Sequence, residues 1–327
     1  MADPMKSRQV IIGAAVIAVL MATGLVLLVR GGVTPTDSAS GTITTTPVKT
    51  CIGQPSYCGF PDDTTTGVTD GAALVSVPGD ATSGAGWVYD DRGWISANQP
   101  GAVIENLDIA VPIDVTASSV TIRNVRIRLG GETWAISLRH VQGTVIENVE
   151  ISAPPDGPRL LVGIKDIFGD SVETRISGSD ISGASTGVQI YQGEIRGNYI
   201  HDLRMQEGDH VNGITSNGSS QPLVINGNTV LNGFDQTDAI GLFQDFGVEA
   251  NRTVQGNLLA GGGYTIYGGQ NPGAPDAYNI VIQGNRISRK YFENGGAHGP
   301  LAAFNAQARG NVWSGNVWDD SGEIISP

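Results

Sequence analysis

The sequence predicts an all-β fold in which the chain winds into successive coils, and three observations support this prediction. Glycine accounts for 46 of the 327 residues, and each glycine weakens a helix by about 1 kcal/mol. A six-residue pattern, Ile-x-(Asn or Gly)-x-x-Ile, recurs from residue 104 onward. A second series of aliphatic residues recurs at intervals of 24 to 26 residues. Repeats of this period are typical of stacked structural units.

The composition excludes several classes of protein. Lys and Arg number 19 against 32 Asp and Glu, which gives a formal net charge of −13. Nucleic acid is therefore not an expected partner, because phosphate binding depends on clustered basic side chains. Hydrophobic residues make up 40% of the chain and charged residues 16%. This balance favours a folded core over intrinsic disorder.

Residues 10–29 are a run of 20 residues without a charge. As a helix the run would be about 30 Å long, the thickness of a bilayer core. With Lys6 and Arg8 before it, the run is predicted to be a transmembrane signal anchor, with residues 1–9 in the cytoplasm. The chain is then a single-pass protein of the cell membrane whose C-terminal domain lies outside the cytoplasm. Two alternatives stay open: a cleaved signal peptide, which would make the protein secreted, and a buried core helix.

Three further segments follow the apolar run. Residues 30–50 are rich in Thr and Ser and are predicted to be a linker. Residues 51–67 are predicted to be a small disulfide loop closed by Cys51 and Cys58, since disulfides form outside the cytoplasm. A metal site would need more ligands than these two thiols. Residues 68–327 are predicted to form the repeat domain.

The hexapeptide pattern occurs nine times and predicts short strands with turns between them. Its β-branched residues favour strands, while its Gly, Asn and Asp residues favour turns. A Gly-Asn pair also tolerates the left-handed backbone that a sharp corner requires. The copies lie at 104–109, 122–127, 146–151, 176–181, 195–200, 225–230, 254–259, 282–287 and 313–318.

A second strand is predicted after the copies, and its aliphatic anchors keep a similar period. Two sets of strands with matching periods indicate one coil of the chain per repeat. Inward Ile and Val would then stack from coil to coil into a continuous core. The anchors are Ile164, Val188, Ile214, Ile240 and Ile266.

Five asparagines occupy one shared position in the later copies. Stacked amide side chains hydrogen-bond along such a column, so we predict a structural role for them. They are Asn198, Asn228, Asn257, Asn285 and Asn316.

Over residues 68–320, the repeats resemble those of the right-handed parallel β-helix proteins of the pectin-lyase-like superfamily. The resemblance implies a right-handed parallel β-helix. It does not imply one reaction, because the group includes polysaccharide lyases, glycoside hydrolases, uronate epimerases and phage tailspikes. The catalytic series of polygalacturonases is not reproduced, since GAHGP at 296–300 occurs without the accompanying acidic pair. No catalytic residue is therefore carried over from the group.

Aligning the second strands places polar residues of neighbouring coils side by side. Asp209 falls beside Asp235, and the two carboxylates would lie about 5 Å apart at the backbone. Such proximity raises the pKa of one partner, and a proton donor paired with an acceptor is what glycoside hydrolysis requires. A histidine is a plausible acid or base near neutral pH, which makes His210 a further candidate. We therefore take Asp209, His210, Asp235 and Asp238 as candidate catalytic residues.

Four further residues are candidates for binding substrate. Asn212 aligns with the candidate Asp238, Arg204 lies in the loop before the strand, and Tyr264 and Tyr267 offer ring faces to a sugar. The carboxylates of Asp209, Asp235 and Asp238, together with Asn212 and backbone carbonyls, could also bind Ca²⁺, which prefers oxygen ligands. Strict alternation assigns Asn212 and Asp238 to the inward face, and polar corner residues often bond the backbone alone. A purely structural role therefore stays open.

The functional expectation is an extracytoplasmic, membrane-anchored protein that binds a polysaccharide or cell-envelope glycan. Cleavage is left open; an enzyme of this kind would be a polysaccharide lyase or a glycoside hydrolase. The alternative is a non-catalytic surface scaffold or adhesin, for which long repeat faces are suited.

Overall fold

Three parallel β-sheets wrap around one apolar core, and successive turns of the chain stack along a common axis. A computed structural model describes residues 50–327. The predicted cytoplasmic segment, anchor and nearly all of the linker lie outside these residues. Within 50–327, no helix has both the length and the apolar character needed to cross a membrane.

In each of about nine turns the chain adds one strand to each of three sheets, which we call C, A and B in the order in which the chain reaches them and whose strands are given below. Strand pairing within residues 50–327 is parallel, except among the first three strands of sheet B. Besides the strands, the described part of the chain contains one 3₁₀ helix, Pro55–Cys58.

The strands of sheet A, in spatial order, are Val75–Val77, Leu107–Ile109, Arg126–Arg128, Glu150–Ser152, Asp180–Ser182, Tyr199–His201, Thr229–Asn232, Leu258–Gly261, Arg286–Ser288 and Val317–Trp318. Those of sheet B are Ser83–Gly84, Trp87–Tyr89, Ile95–Ala97, Ile113–Val115, Gly131–Leu138, Leu160–Asp166, Ala184–Gln189, Asn212–Ser216, Asp238–Leu242, Tyr264–Gly268 and Gly299–Ala302. Those of sheet C are Val103–Glu105, Thr121–Arg123, Val145–Glu147, Arg175–Ser177, Gly193–Arg196, Leu223–Asn226, Ala250–Gln255, Tyr278–Gln283 and Val312–Ser314.

Each hexapeptide copy forms a corner between sheets C and A, rather than a single strand. The third residue of the pattern takes a left-handed backbone, with φ of 57° at Asn106 and 61° at Gly197, and so turns the chain from one sheet into the next. Asn and Gly tolerate this conformation best, which explains why this position is Asn in the first three copies and Gly in the six that follow. The sequence predicted two series of strands, whereas the repeat region contains three, because each hexapeptide contributes to two sheets.

The predicted register of the second strands is confirmed. Ile164 pairs with Val188, Val188 with Ile214, Ile214 with Ile240, and Ile240 with Ile266. All five side chains are completely buried. These residues form one wall of the predicted continuous core.

The column of asparagines is structural, as predicted. Nδ2 of Asn198 donates to Oδ1 of Asn228 at 2.9 Å, and the same bond joins Asn257 to Asn285 at 2.9 Å. Each Nδ2 also donates to a backbone carbonyl of the preceding sheet C strand. The column thus satisfies the polar groups of a fully buried corner from turn to turn.

A strap of residues 51–74 connects the last turn to the first along the outside of sheet A. The predicted disulfide between Cys51 and Cys58 is present. The backbone N–H groups of Cys51 and Ile52 donate to the buried Asp319 carboxylate at 3.0–3.1 Å. Further along the strap, the N–H of Gly67 donates to the carbonyl of Gly178, in a middle turn, at 2.8 Å. The strap then enters sheet A as its first strand.

Replacing Asn257 by Ala should lower the free energy of unfolding by about 3 kcal/mol, because buried partners in two neighbouring turns lose their hydrogen bonds. Those partners are Asn228, Asn285 and the carbonyl of Ile225. Urea unfolding followed by circular dichroism measures the change. The exposed Gln255→Ala serves as control. Equal stabilities of the two variants would contradict the assigned role of the column.

Candidate functional site

A pocket of about 310 Å³ opens on the outer face of sheet B. Its floor is formed by adjacent strands Ala184–Gln189 and Asn212–Ser216. Its rims come from the loops before and after Asn212–Ser216 and from the loop after the next strand, Asp238–Leu242. Amide and hydroxyl side chains predominate among the lining residues. They are Thr186, Gln189, His210, Asn212, Thr215, Asn217, Phe243 and Asp245.

Asn212 faces this pocket because the strands do not alternate strictly. A side chain on Gly213 would collide with the core residue Val230, so position 213 faces inward. Ile214 is also buried in the core. Two consecutive inward residues place Asn212 on the outer face, and the inward prediction for it was wrong. Small residues at position 213 and at its neighbour Ala239 make this geometry possible.

Asp238 pairs with Asn212 in the sheet and is likewise on the outer face. A side chain on Gly241 would collide with Oδ2 of Asp238 and with Cε2 of Phe243, so the carboxyl and the ring crowd the same glycine. Asp238 is 0% exposed, and neither carboxyl oxygen has a hydrogen-bond partner. Burial therefore raises the pKa of Asp238 well above its usual value. Burial thus favours the protonated, neutral form of this carboxyl beside the pocket.

Asp209 has a cation, rather than a second carboxylate, as its charge partner. Its oxygens accept hydrogen bonds from Nε and Nη2 of Arg159 at 2.6 and 2.7 Å. These bonds from Arg159 lower the pKa of Asp209. Nη1 of Arg204 donates to the carbonyl of Pro154 at 2.8 Å. Through these bonds Asp209 and Arg204 hold the loop that carries His210 against the loop that precedes strand Leu160–Asp166. The two residues therefore help to position the rim of the pocket.

The remaining predicted residues divide between the rim and its surroundings. His210 is exposed and lines the pocket. Asp235 is exposed, and its neighbour Gln236 donates through Nε2 to the carbonyl of Asp209 at 3.0 Å. The segments around Asp209 and Asp235 are therefore adjacent, as predicted. The Asp209 carboxylate, however, forms an ion pair with Arg159 instead of pairing with the carboxylate of Asp235.

Tyr264 and Tyr267 belong to an aromatic cluster beside the pocket. The ring of Phe243 lies 5.3 Å from that of Tyr267, and Tyr264 meets Tyr267 edge-on at 5.5 Å. Tyr264 also contacts the ring of His298 at 5.7 Å. Burial, and then the nearby Asp238, raise the pKa of Tyr267. Of these rings, only Phe243 lines the pocket itself.

Six of the lining residues were not predicted from the sequence. Thr186, Gln189 and Thr215 could have been found, because they align with the strands already placed in register. Asn217, Phe243 and Asp245 come from loops that follow those strands. Loop conformation does not follow from the repeat, so the sequence carries no signal for them.

No group of three or more His, Cys, Asp or Glu side chains suited to a metal ion occurs within residues 50–327. Comparison with protein-family models, curated proteins and solved structures finds no match for this chain.

The buried carboxyl of Asp238 should make stability depend on pH. The pKa of Asp238 in the folded chain exceeds its unfolded value, which is near 3.8. At a pH between the unfolded and the folded pKa, Asp238 is therefore protonated in the folded chain and ionised in the unfolded chain. Stability then falls as pH rises, by about 1.4 kcal/mol per pH unit. Asp238→Asn should remove this contribution, so the stability of the variant relative to the parent should increase as pH rises above the unfolded value near 3.8.

Urea unfolding at each pH measures the difference. The exposed Asp235→Asn is the matched control and should follow the parent at every pH. If the free energies of unfolding of Asp238→Asn and of the parent change equally with pH, Asp238 is already ionised in the folded protein, and the assigned burial effect is wrong.

Proposed function

We propose that this protein binds a carbohydrate chain in the pocket on sheet B. The observation that carries the proposal is the set of side chains around it: amides of Gln189, Asn212 and Asn217, hydroxyls of two threonines, and the ring of Phe243. Amides and hydroxyls both donate and accept hydrogen bonds, as sugar hydroxyls do. An aromatic face suits the apolar side of a sugar ring.

The position of the pocket also supports a polymeric ligand. Turns repeat about every 4.8 Å along the axis, and the outer face of sheet B continues on both sides of the pocket. A polysaccharide or a cell-envelope glycan is therefore the proposed partner, and nucleic acid is not. We place the protein at the cell membrane, anchored through residues 10–29, or outside the cell if that segment is cleaved.

Within this proposal the fold is the right-handed form of the parallel β-helix, as in the pectin-lyase-like superfamily. The supporting observations are the nine corner repeats and the buried column of asparagines. Binding without cleavage, as in a surface scaffold or adhesin, is the simplest form of the function.

Asp238 specifically favours a second candidate function, glycosidic bond cleavage. A carboxyl whose pKa is raised by burial is what a general acid requires, and burial raises the pKa of Asp238. His210 and Asp245, which line the same pocket, are candidates for the complementary base. Asp238 is buried against Phe243, so displacement of that ring would have to accompany proton donation to a leaving oxygen.

Asn212→Ala and Phe243→Ala should each weaken glycan binding about tenfold, the loss of roughly 1.4 kcal/mol expected for a hydrogen bond or a ring contact. Titration calorimetry with oligosaccharides of pectate, alginate, hyaluronan and xylan measures affinity. Asn98→Ala, exposed and remote in sequence, is the control. Absence of binding to any glycan in a wider array, with the fold intact, would refute the proposal.

If the protein cleaves its glycan, Asp238→Asn should abolish turnover and preserve affinity. The parent's rate should fall as pH rises through the raised pKa of Asp238, because the acid then loses its proton. Release of reducing ends or of unsaturated sugars measures turnover. Turnover by the Asn variant at the parent's rate would exclude Asp238 as the acid, and binding without turnover by the parent would favour the scaffold.

A further inference from the structure

His201 lies on the outer face of sheet A, where it is held between two carboxylates. Its Nε2 lies 3.0 Å from Oδ1 of Asp180 in the preceding turn, and its Nδ1 lies 2.8 Å from Oδ2 of Asp202. The imidazole also stacks on the ring of Tyr199, with the ring centroids 4.0 Å apart. An ionised carboxylate only accepts hydrogen bonds, so both contacts are satisfied only when both ring nitrogens carry a proton. The geometry therefore selects the protonated form of His201.

The charges around His201 favour the same form. Burial lowers the pKa of His201, but the hydrogen bonds and charges of Asp180 and Asp202 raise it by more, so the pKa lies above its usual value of 6.5. A neutral imidazole has a single N–H. Loss of the proton therefore leaves one of the two carboxylates facing a lone pair.

Few other titratable groups surround this cluster. They are Tyr199, Tyr291 with Lys290 beside its ring, and Asp63 of the strap. Burial raises the pKa of both tyrosines, so the two phenols remain neutral while His201 titrates. The change of charge over this range is therefore that of the imidazole.

The strap lies directly on Asp180. A side chain on Gly67 would approach Cβ of Asp180 to 3.3 Å, and the N–H of Gly67 donates to the carbonyl of Gly178 at 2.8 Å. Two residues further on, the N–H of Thr69 donates to Oδ1 of Asn124 at 2.9 Å. Asp180 thus contacts both the strap and His201, so the charge of the imidazole acts next to the docked strap.

Both the strap and the surface beneath it are acidic. Residues 51–74 contain three aspartates and no Lys, Arg or His. Between the strap and sheet A lies a cavity of about 690 Å³, and its charged lining residues are Asp63, Asp70, Glu150, Asp180 and Arg126. Arg126 is bonded to Glu150 at 3.0 Å, whereas the basic group bonded to Asp180 is His201. Neutralisation of Asp180 under the strap therefore depends on the proton of His201.

We propose that the protonation state of His201 controls how firmly the strap is docked on sheet A. With the proton bound, the imidazolium neutralises Asp180 beneath the strap. When the proton is lost at higher pH, Asp180 repels the nearby Asp63 and Asp70, and the strap opens locally while the three sheets stay folded. Opening uncovers the cavity and the part of sheet A beneath it.

The direction of the effect follows from the pKa. A histidine whose pKa is raised in the folded state stabilises that state below its unfolded pKa, and this stabilisation is lost as pH rises through the folded pKa. The inference does not depend on the carbohydrate proposal, because the pocket on sheet B shares no lining residue with the cavity under the strap.

Hydrogen exchange of the full chain, measured by mass spectrometry and corrected for the intrinsic effect of pH, tests the proposal. As pH rises above the usual histidine value of 6.5, protection of the strap amides of Gly67 and Thr69 should fall about tenfold, the effect expected for one hydrogen bond to a charged group. Amides of the buried asparagine column, such as that of Asn228, should keep their protection. His201→Gln, which carries no charge at any pH, should show weak protection of the strap throughout.

Asp202→Asn keeps the test valid if His201→Gln fails to fold, because the Asp202 side chain is 83% exposed. This variant removes one of the two carboxylates that raise the pKa of His201, so the loss of strap protection should move to lower pH. The matched control is His140→Gln, which removes an exposed histidine bonded to Asp170 and should follow the parent.

Asp238→Asn should also keep the response of the strap, which separates this response from the pH effect of that buried carboxyl. The proposal is overturned if strap protection in the parent does not change with pH, or if His201→Gln keeps the parent's response. It is also overturned if Asp202→Asn leaves the transition in place, or if the strap and the asparagine column lose protection together.

Discussion

Parallel hydrogen bonding between successive turns is the constraint on which the rest of this structure depends. Each turn must lie in register on the previous one, because a shift of one residue would carry the aliphatic set out of the core. Left-handed corners such as Asn106 and Gly197 return the chain to the same register in every turn. The buried asparagines then satisfy the polar groups that the corner would otherwise leave unpaired. The aliphatic core, the left-handed corners and the column of buried asparagines thus all follow from the same repeat.

The register was predictable because the repeat is encoded in residue types that have few alternatives. Isoleucine spacing placed Ile164, Val188, Ile214, Ile240 and Ile266 in one column, and the structure pairs them so. The number of sheets was not predictable to the same degree. Each hexapeptide is continuous in sequence, and only the backbone conformation at its third residue divides it between two sheets.

The candidate site was predictable in part. Alignment of neighbouring turns correctly brought Asn212 beside Asp238. It could not show which face they occupy, since that depends on two consecutive inward residues, which a period of two does not anticipate. It also missed Arg159, fifty residues from Asp209 in sequence, which neutralises that carboxylate. Long connections between sheets bring such partners together, and their paths are not contained in the repeat.

The strap has a mechanical consequence. In a solenoid each turn contacts only its neighbours, but here the strap joins the two ends of the stack, since Cys51 is hydrogen-bonded to Asp319 in the last turn and residues 75–77 belong to the first. Ile325 also returns to the last turn, through its N–H bond to the carbonyl of Asn316. Tension applied between Cys51 and Ile325 would therefore load the final turn first. Once the bonds to Asp319 break, the strap would transmit the load through Gly67 to a middle turn and then to the first turn.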